Sequence, residues 1–140
     1  MQVIDGDKQF ALIMMYVREL LEKTGVSVPH VIVNTAYTNG MANKYLQKSK
    51  VNCVCVPTGV KNAHPVVQQY VIGANDEPNG HGTIYVNWPA YKDLFSGKEN
   101  DINVQKLTAF LRLSNIYVGD AISNLLMIEA ILRDKGISID

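Results

Sequence analysis

An α/β fold is predicted, with a mixed, mostly parallel sheet packed against helices. Three observations predict it. Helical and strand patterns alternate along the chain, as they do where crossover helices join parallel strands. The run Val31–Ile32–Val33 is continuous and β-branched, which suits a strand buried on both faces. The stretch Phe10–Val17 is apolar on all sides, so its helix belongs inside a layered structure and not on a surface. The 140 residues fit one domain, 1–140. That length buries about two-thirds of the unfolded surface. Hydrophobic residues make up 47% of the chain and charged residues 19%, which excludes a disordered tail or a charged linker.

The elements follow in order. Asp7 is expected to cap a helix running to about Lys23, with Gly25 as its stop. His30–Thr35 reads as the first strand. Thr38–Asn39–Gly40 is a turn, and Met41–Ser49 fits a short helix. Asn52–Val56 is a second strand, punctuated by Pro57–Thr58–Gly59. A helix to about Gln69 follows, with Pro65 disturbing its early part. Val71–Ala74 is a third strand, Asn75–Gly82 a polar loop, and Thr83–Val86 a fourth strand antiparallel to its predecessor. Polarity rises from Asp93 to Gln105 and Gly97 breaks any helix there, so this segment is expected to be mobile. Two helices close the chain, Val104–Leu113 and Val118–Lys135. The second carries Val118, Ala121, Ile122, Leu125, Leu126 and Ile128 at helical spacing and ends at Gly136. No internal repeat or low-complexity tract occurs.

Charge narrows the function classes. Thirteen basic residues balance thirteen acidic ones, for a formal net charge of +0. A nucleic-acid binder carries a basic surplus, and no such surplus exists. The polybasic cluster of a membrane anchor is also missing, and Phe10–Val17 is too short to span a bilayer. Near-zero charge does little to keep molecules apart, which leaves room for partner surfaces. Cys53 and Cys55 lack the Cys/His company of a zinc module and read as reduced core thiols. No N-x-S/T site and no basic segment before the first apolar run point to secretion. A soluble cytoplasmic protein is expected.

Four segments carry candidate chemistry. Asp5–Gly6–Asp7 invites a metal reading, because Mg²⁺ takes hard oxygen ligands. Lys8, Gln9 and Phe10 follow where a third carboxylate would be needed, so the segment reads as a helix start and no metal is assigned. Thr58, Gly59 and Lys61 lie where a strand passes into a helix, the position at which open α/β sheets bind ligands. There Gly allows close backbone approach, Thr offers a hydroxyl and Lys61 a point charge for phosphate. The bland alternative is an ordinary helix start with a surface lysine. Glu77, Asn79 and His81 alternate, and in an extended stretch they share one side. Glu and Asn then suit vicinal sugar hydroxyls. The alternative is a tight hairpin at Asn79–Gly80, which leaves Glu77 and His81 unexplained. Asn34–Gly40 reads as strand closure, and His30 and His64 as structural or surface residues. Neither an aromatic stacking platform nor a P-loop, G-x-G-x-x-G, G-x-S-x-G or H-E-x-x-H motif is present.

Thr58–Gly59–Val60–Lys61, Ile72–Gly73 and Glu77-x-Asn79–Gly80–His81–Gly82–Thr83 together resemble the phosphoacetylglucosamine mutase family of the α-D-phosphohexomutase superfamily. Ile4–Lys8, Thr35–Ala36–Tyr37-x-Asn39–Gly40, Gly119–Ser123 and Glu129–Leu132 extend the resemblance in order over nearly the whole chain. Enzymes of this family have four domains around one cleft. This chain is similar to the third alone and lacks the phosphoserine loop, the Mg²⁺ loop and the phosphate-binding loop of the others. Pro78 and Asn62–Ala63 depart from the family pattern without removing a functional group.

The resemblance implies a fragment of an intramolecular phosphotransferase. It would interconvert N-acetylglucosamine 6-phosphate and 1-phosphate through a bisphosphate, in UDP-N-acetylglucosamine synthesis. Mg²⁺ would be bound outside this chain, and the partners would be a hexosamine phosphate and the other domains. By the same resemblance Glu77 and Asn79 contact the hydroxyls near C3 and C4. Thr58 and Gly59 line that face near the N-acetyl group, and His81 supports the loop or touches the sugar. Lys61 is the candidate catalytic residue, for proton transfer or phosphate stabilisation. A phosphoglucomutase or phosphomannomutase domain, or a non-catalytic binding module, remains as the alternative. The chain alone is expected to be inactive.

Overall fold

A computed structural model describes residues 3–138. The chain runs α1 (Gly6–Thr24), β1 (His30–Thr35), α2 (Gly40–Lys48), β2 (Cys53–Val56), α3 (Val60–Val67), β3 (Ile72–Asp76), β4 (Gly82–Val86), α4 (Trp88–Leu94), α5 (Ile102–Leu111) and α6 (Ala121–Lys135). The strands form one sheet in the order β2-β1-β3-β4. β1 pairs in parallel with β2 and β3, and β3 pairs antiparallel with β4, so the predicted mixed sheet is found.

Strand alternation divides the interior in two. Ile32, Ile72, Ala74 and Ile84 face a large core with Phe10, Ile13, Met14 and Val17 of α1, Leu107 of α5 and Met127 and Ile131 of α6. Val31 and Val33 face a smaller core with Ala63 and Val67 of α3. The buried middle of α1 reflects its neighbours, since α2, α5, α6 and β3 all touch it.

Several expectations need correction. Asp5, not Asp7, caps α1, and its carboxylate accepts from Lys8 N–H at 3.0 Å. Asp7 is already helical and buried. The stop at Gly25 is correct, in the left-handed conformation that glycine favours. β3 and β4 reach further than their apolar cores suggested. Asn75 and Asp76 pair with Thr83 and Gly82, so only 77–81 forms the connecting loop. Cys53 and Cys55 are free but are not core thiols. β2 is an edge strand, Cys53 is half-buried and Cys55 is exposed. Burial raises the Cys53 thiol to about 11, with the Asp76 charge adding to it.

The 93–105 segment is mostly helix ends and hydrogen-bonded turn. Leu94 closes α4 and Asp101 caps α5 by accepting from Asn103 N–H at 2.7 Å. Lys98 Nζ reaches back to the Thr24 carbonyl at 2.9 Å. α4 was not anticipated. Asn87 caps it, Pro89 lies in its first turn and Tyr91 and Phe95 enter the core. α6 begins at Ala121 with Asp120 as its cap, three residues after Val118. Its apolar stripe was also misread: Ile122 is 72% exposed, Leu125 66% and Leu126 51%, while Asn124, Met127, Ile128 and Ile131 are buried. No described helix is long and apolar enough to cross a membrane.

Candidate functional site

The C-terminal ends of β1, β2 and β3 lie at one edge of the sheet, and the end of β1, the start of α3, the β3–β4 hairpin and residues 116–119 line a cavity of about 480 Å³. Gly59 and Lys61 contribute from the start of α3, Asp76 and Glu77 from the end of β3, and His81 and Thr83 from the return into β4. The structure therefore gathers four of the six residues singled out in the sequence: Gly59, Lys61, Glu77 and His81. Thr58 is exposed beside them but does not line the cavity, and its carbonyl accepts from Asn62 Nδ2 at 3.0 Å. Asn79 lines a neighbouring cleft of about 440 Å³, which His81 and Gly80 also border.

Gly59 precedes α3 with φ of +118°, a backbone state that a side chain would strain. No side chain caps α3. Asn62 and Ala63 N–H donate to the Gly59 carbonyl, and Val60 and Lys61, which open the helix, border the cavity. A helix start of this kind suits an anion.

The 77–81 loop is a closed turn and not an extended stretch, which corrects the basis on which Glu77, Asn79 and His81 were grouped. Gly80 N–H donates to the Glu77 carbonyl at 2.9 Å, and Glu77 N–H to the His81 carbonyl at 2.9 Å. The Asn79 side chain works inside this turn. Its Nδ2 donates to Glu77 Oε2 at 3.1 Å and its Oδ1 accepts from His81 N–H at 2.8 Å. Glu77 Oε1 is left for a ligand, held by an oriented partner on the other oxygen.

Outside contacts seat the loop. Gly6 N–H donates to the Pro78 carbonyl at 3.1 Å, and Asn124 Nδ2 of α6 donates to the Gly80 carbonyl at 3.2 Å. Three glycines make room for it. A Cβ on Gly6 would lie 2.1 Å from the Glu77 carbonyl oxygen, and one on Gly82 2.4 Å from the Phe10 ring. One on Gly119 would lie 3.1 Å from the Gly82 backbone.

Sequence reasoning missed several lining residues. Thr35 was read as strand closure and His64 as structural or surface, yet both border the cavity. Asn75 and Thr83 form a 2.6 Å hydrogen bond across the hairpin on its wall. Their signal lay in the strand register, which carries polar side chains past the apolar core. Beneath the wall, Asp76 is buried and accepts from Asn34 Nδ2 at 3.1 Å. Among the described residues, no group of three or more His, Cys, Asp or Glu side chains is placed to hold a metal. Asp5 is engaged as a helix cap and Asp7 accepts from Asn39 N–H at 2.7 Å. These residues do not fit a resident Mg²⁺.

Residues 5–137 match the family model described as "Phosphoacetylglucosamine mutase AMG1, domain III". The chain is 39% identical to mouse phosphoacetylglucosamine mutase over 98% of its own length and 26% of that protein. It thus spans about a quarter of the curated relatives it matches. Its fold is similar to that of Aspergillus fumigatus N-acetylphosphoglucosamine mutase in complex with GlcNAc-6P and magnesium. The TM-score is 0.86 at 34% identity, covering 96% of this chain and 28% of that one. An N-acetylglucosamine-phosphate mutase of the α-D-phosphohexomutase superfamily, in its substrate complex, gives 0.83 at 36% identity, over 98% of this chain and 27% of that one.

Proposed function

The chain belongs to the family of third domains of phosphoacetylglucosamine mutases, and from that membership we propose that it is the sugar-recognition domain of such a mutase. The observation that carries the reading is the cavity that joins the 77–81 loop to the start of α3. In the parent, a phosphoserine on another domain gives its phosphoryl group to N-acetylglucosamine 6-phosphate. The 1,6-bisphosphate turns over and returns the other phosphoryl group, leaving the 1-phosphate. The sugar must be held with either end toward the serine. Hydroxyls near its middle are the groups that both orientations share.

Glu77 Oε1 supplies a charged acceptor for such a hydroxyl, and Asn79 fixes the direction of that carboxylate. Gly59 lets the sugar approach the backbone, and Thr58 stands at the rim for the N-acetyl group. Lys61 and the uncapped start of α3 supply positive potential for a phosphate or a developing charge. Phosphoryl transfer depends mainly on such positioning and electrostatics. His81 closes the turn and borders both cavities. Mg²⁺ and the nucleophile belong to the rest of the parent, so the 140-residue chain alone is expected to show no mutase turnover. Its proposed setting is the cytoplasm, where free thiols persist.

Amide NMR tests the reading. Labelled chain is titrated with N-acetylglucosamine 6-phosphate and with glucose 6-phosphate. Shifts at 58–61 and 77–83, larger for the N-acetylated sugar, are expected. The complementary measurement is Glu77→Gln in the full-length parent. Loss of a charge-assisted hydrogen bond worth ~1.5–3 kcal/mol lowers activity about tenfold or more. Unchanged turnover would remove Glu77 from the site.

A further inference from the structure

Asp7, in the first turn of α1, is 4% exposed, and Asp76, at the end of β3, is 1% exposed. Each carboxyl uses one oxygen conventionally. Asp7 Oδ2 accepts from Asn39 N–H at 2.7 Å, and Asp76 Oδ1 accepts from Asn34 Nδ2 at 3.1 Å. The other oxygens, Asp7 Oδ1 and Asp76 Oδ2, are sealed from solvent and meet no donor. The chain neighbours of the two carboxyls touch: Gly6 N–H donates to the Pro78 carbonyl at 3.1 Å, and Asp7 acts on Asp76 both as a charge and as a hydrogen-bonding neighbour. Two neighbouring buried carboxyls, each with an oxygen that lacks a donor, are relieved by one proton held between them. Asp7 acts on Asp76 from α1, Glu77 from the loop and the Cys53 thiol from β2, and all three are acidic. Lys61, His64 and His81 border the same cavity as Asp76, yet none of them bonds its carboxyl, so none takes the place of a proton on Oδ2.

We propose that Asp7 and Asp76 share one proton as a carboxylic acid–carboxylate pair, and that this pair is a latch clamping the base of the 77–81 loop to the start of α1. Burial and then the Asp7 charge push Asp76 up to about 8, so the pair keeps its proton through neutral pH. Hydroxide or buffer base removes the proton above that range. Two neighbouring buried carboxylates then repel. Their elements are the two that the Gly6–Pro78 hydrogen bond joins, so separation moves the loop and carries Glu77 with it. Asp76 is thus a positioning residue. Its consequence for sugar binding rests on the function proposed above, whereas the latch itself does not.

Carboxyl-carbon and amide NMR of the labelled chain between pH 5 and 9.5, without sugar, tests the latch. One buried carboxyl is expected to titrate near pH 8, with the amides of Gly6, Asn39 and residues 77–82 following the same midpoint. Asp76→Asn keeps an acceptor for Asn34 and supplies a permanent donor to Asp7, so its loop amides are expected to stay flat over that range. Asp7→Asn removes the neighbouring charge and supplies a donor to an ionised Asp76, whose titration is then expected to move below pH 8. The proposal is overturned if both carboxyls of the unaltered chain are ionised at pH 6. Loop amides that ignore the titration near pH 8, or still show it in Asp76→Asn, would overturn it equally. If a variant fails to fold, the unaltered chain decides alone. Because no sugar is present, these results are independent of whether the loop binds a hexosamine phosphate.

Discussion

Asp76 and Glu77 are consecutive acids with opposite surroundings. Both border the cavity, but Asp76 is buried and bonded to Asn34 whereas Glu77 is half-buried. Asn79 fixes one oxygen of Glu77 through its amide. Asn79→Asp keeps an acceptor for His81 N–H but places a negative charge against Glu77. The two like charges repel, and the amide donor to Glu77 Oε2 is lost. Sugar-induced shifts are therefore expected to weaken several-fold in that variant, which a sugar titration checks. Glu77 and His81 were legible in the sequence because turn chemistry did not account for them. The role of Asn79 inside the turn was not, since the period-two argument presumed extended backbone. Asp76 was illegible for a different reason. Its meaning depends on Asp7, sixty-nine positions away, and nothing local announces their meeting.

At the scale of elements, the close approach of α1 to the loop makes Gly6 a strong test. Gly6→Ala forces a Cβ against the Glu77 carbonyl and the Gly80 amide. Overpacking of this kind costs about 1–3 kcal/mol. Urea melts should show that loss, with amide shifts concentrated at 77–82. α6 makes a paired prediction. Ile131→Ala empties a fully buried position and should cost ~2–5 kcal/mol. Leu125→Ser, on the exposed face, should stay within about 0.5 kcal/mol. Equal effects at the two positions would refute the burial assignment of the helix. Helix ends were legible where glycine takes the left-handed conformation, at Gly25 and Gly136. Strand β1 was legible from its β-branched run. α4 was not, because seven residues led by Trp88 and Pro89 carry no clear helical period. The face of α6 was misjudged because apolar spacing marks a stripe without saying what covers it.

For the whole molecule, ionisation acts in two directions. Hydrogen bonds from Lys135 and Lys23 lower Glu19, and one from Lys106 lowers Asp134, with Tyr16 also donating to it. A lowered carboxyl contributes stability that is present above its unfolded value and lost as pH falls through the folded one. These groups are largely solvated, so the contribution is small. Asp76 has the opposite sign. Its raised value means the folded state holds a proton that the unfolded chain releases near pH 4, so stability falls as pH rises toward about 8 and is level above it. The slope approaches about 1.4 kcal/mol per pH unit at most. Urea midpoints should therefore drop between pH 5.5 and 8 in the unaltered chain and be nearly flat in Asp76→Asn. A midpoint that rises over that interval would contradict the assignment. The mixed sheet and its antiparallel hairpin were legible from the alternation of patterns. The order β2-β1-β3-β4 was not, because pairing choice is decided by packing between distant segments.

Gly6 and Gly82 come from separate stretches of chain and leave no space for a Cβ around the base of the loop, and Gly119 leaves only a tight one. Drift at Gly6 or Gly82 collides with backbone or with the Phe10 ring. In evolutionary terms this half of the pocket is locked and the opposite rim is free. Thr58 and Lys61 are both exposed. On the sugar-binding role proposed above, a lineage or an engineer changing ligand preference would find the accessible single steps along 58–61 and not along 77–82.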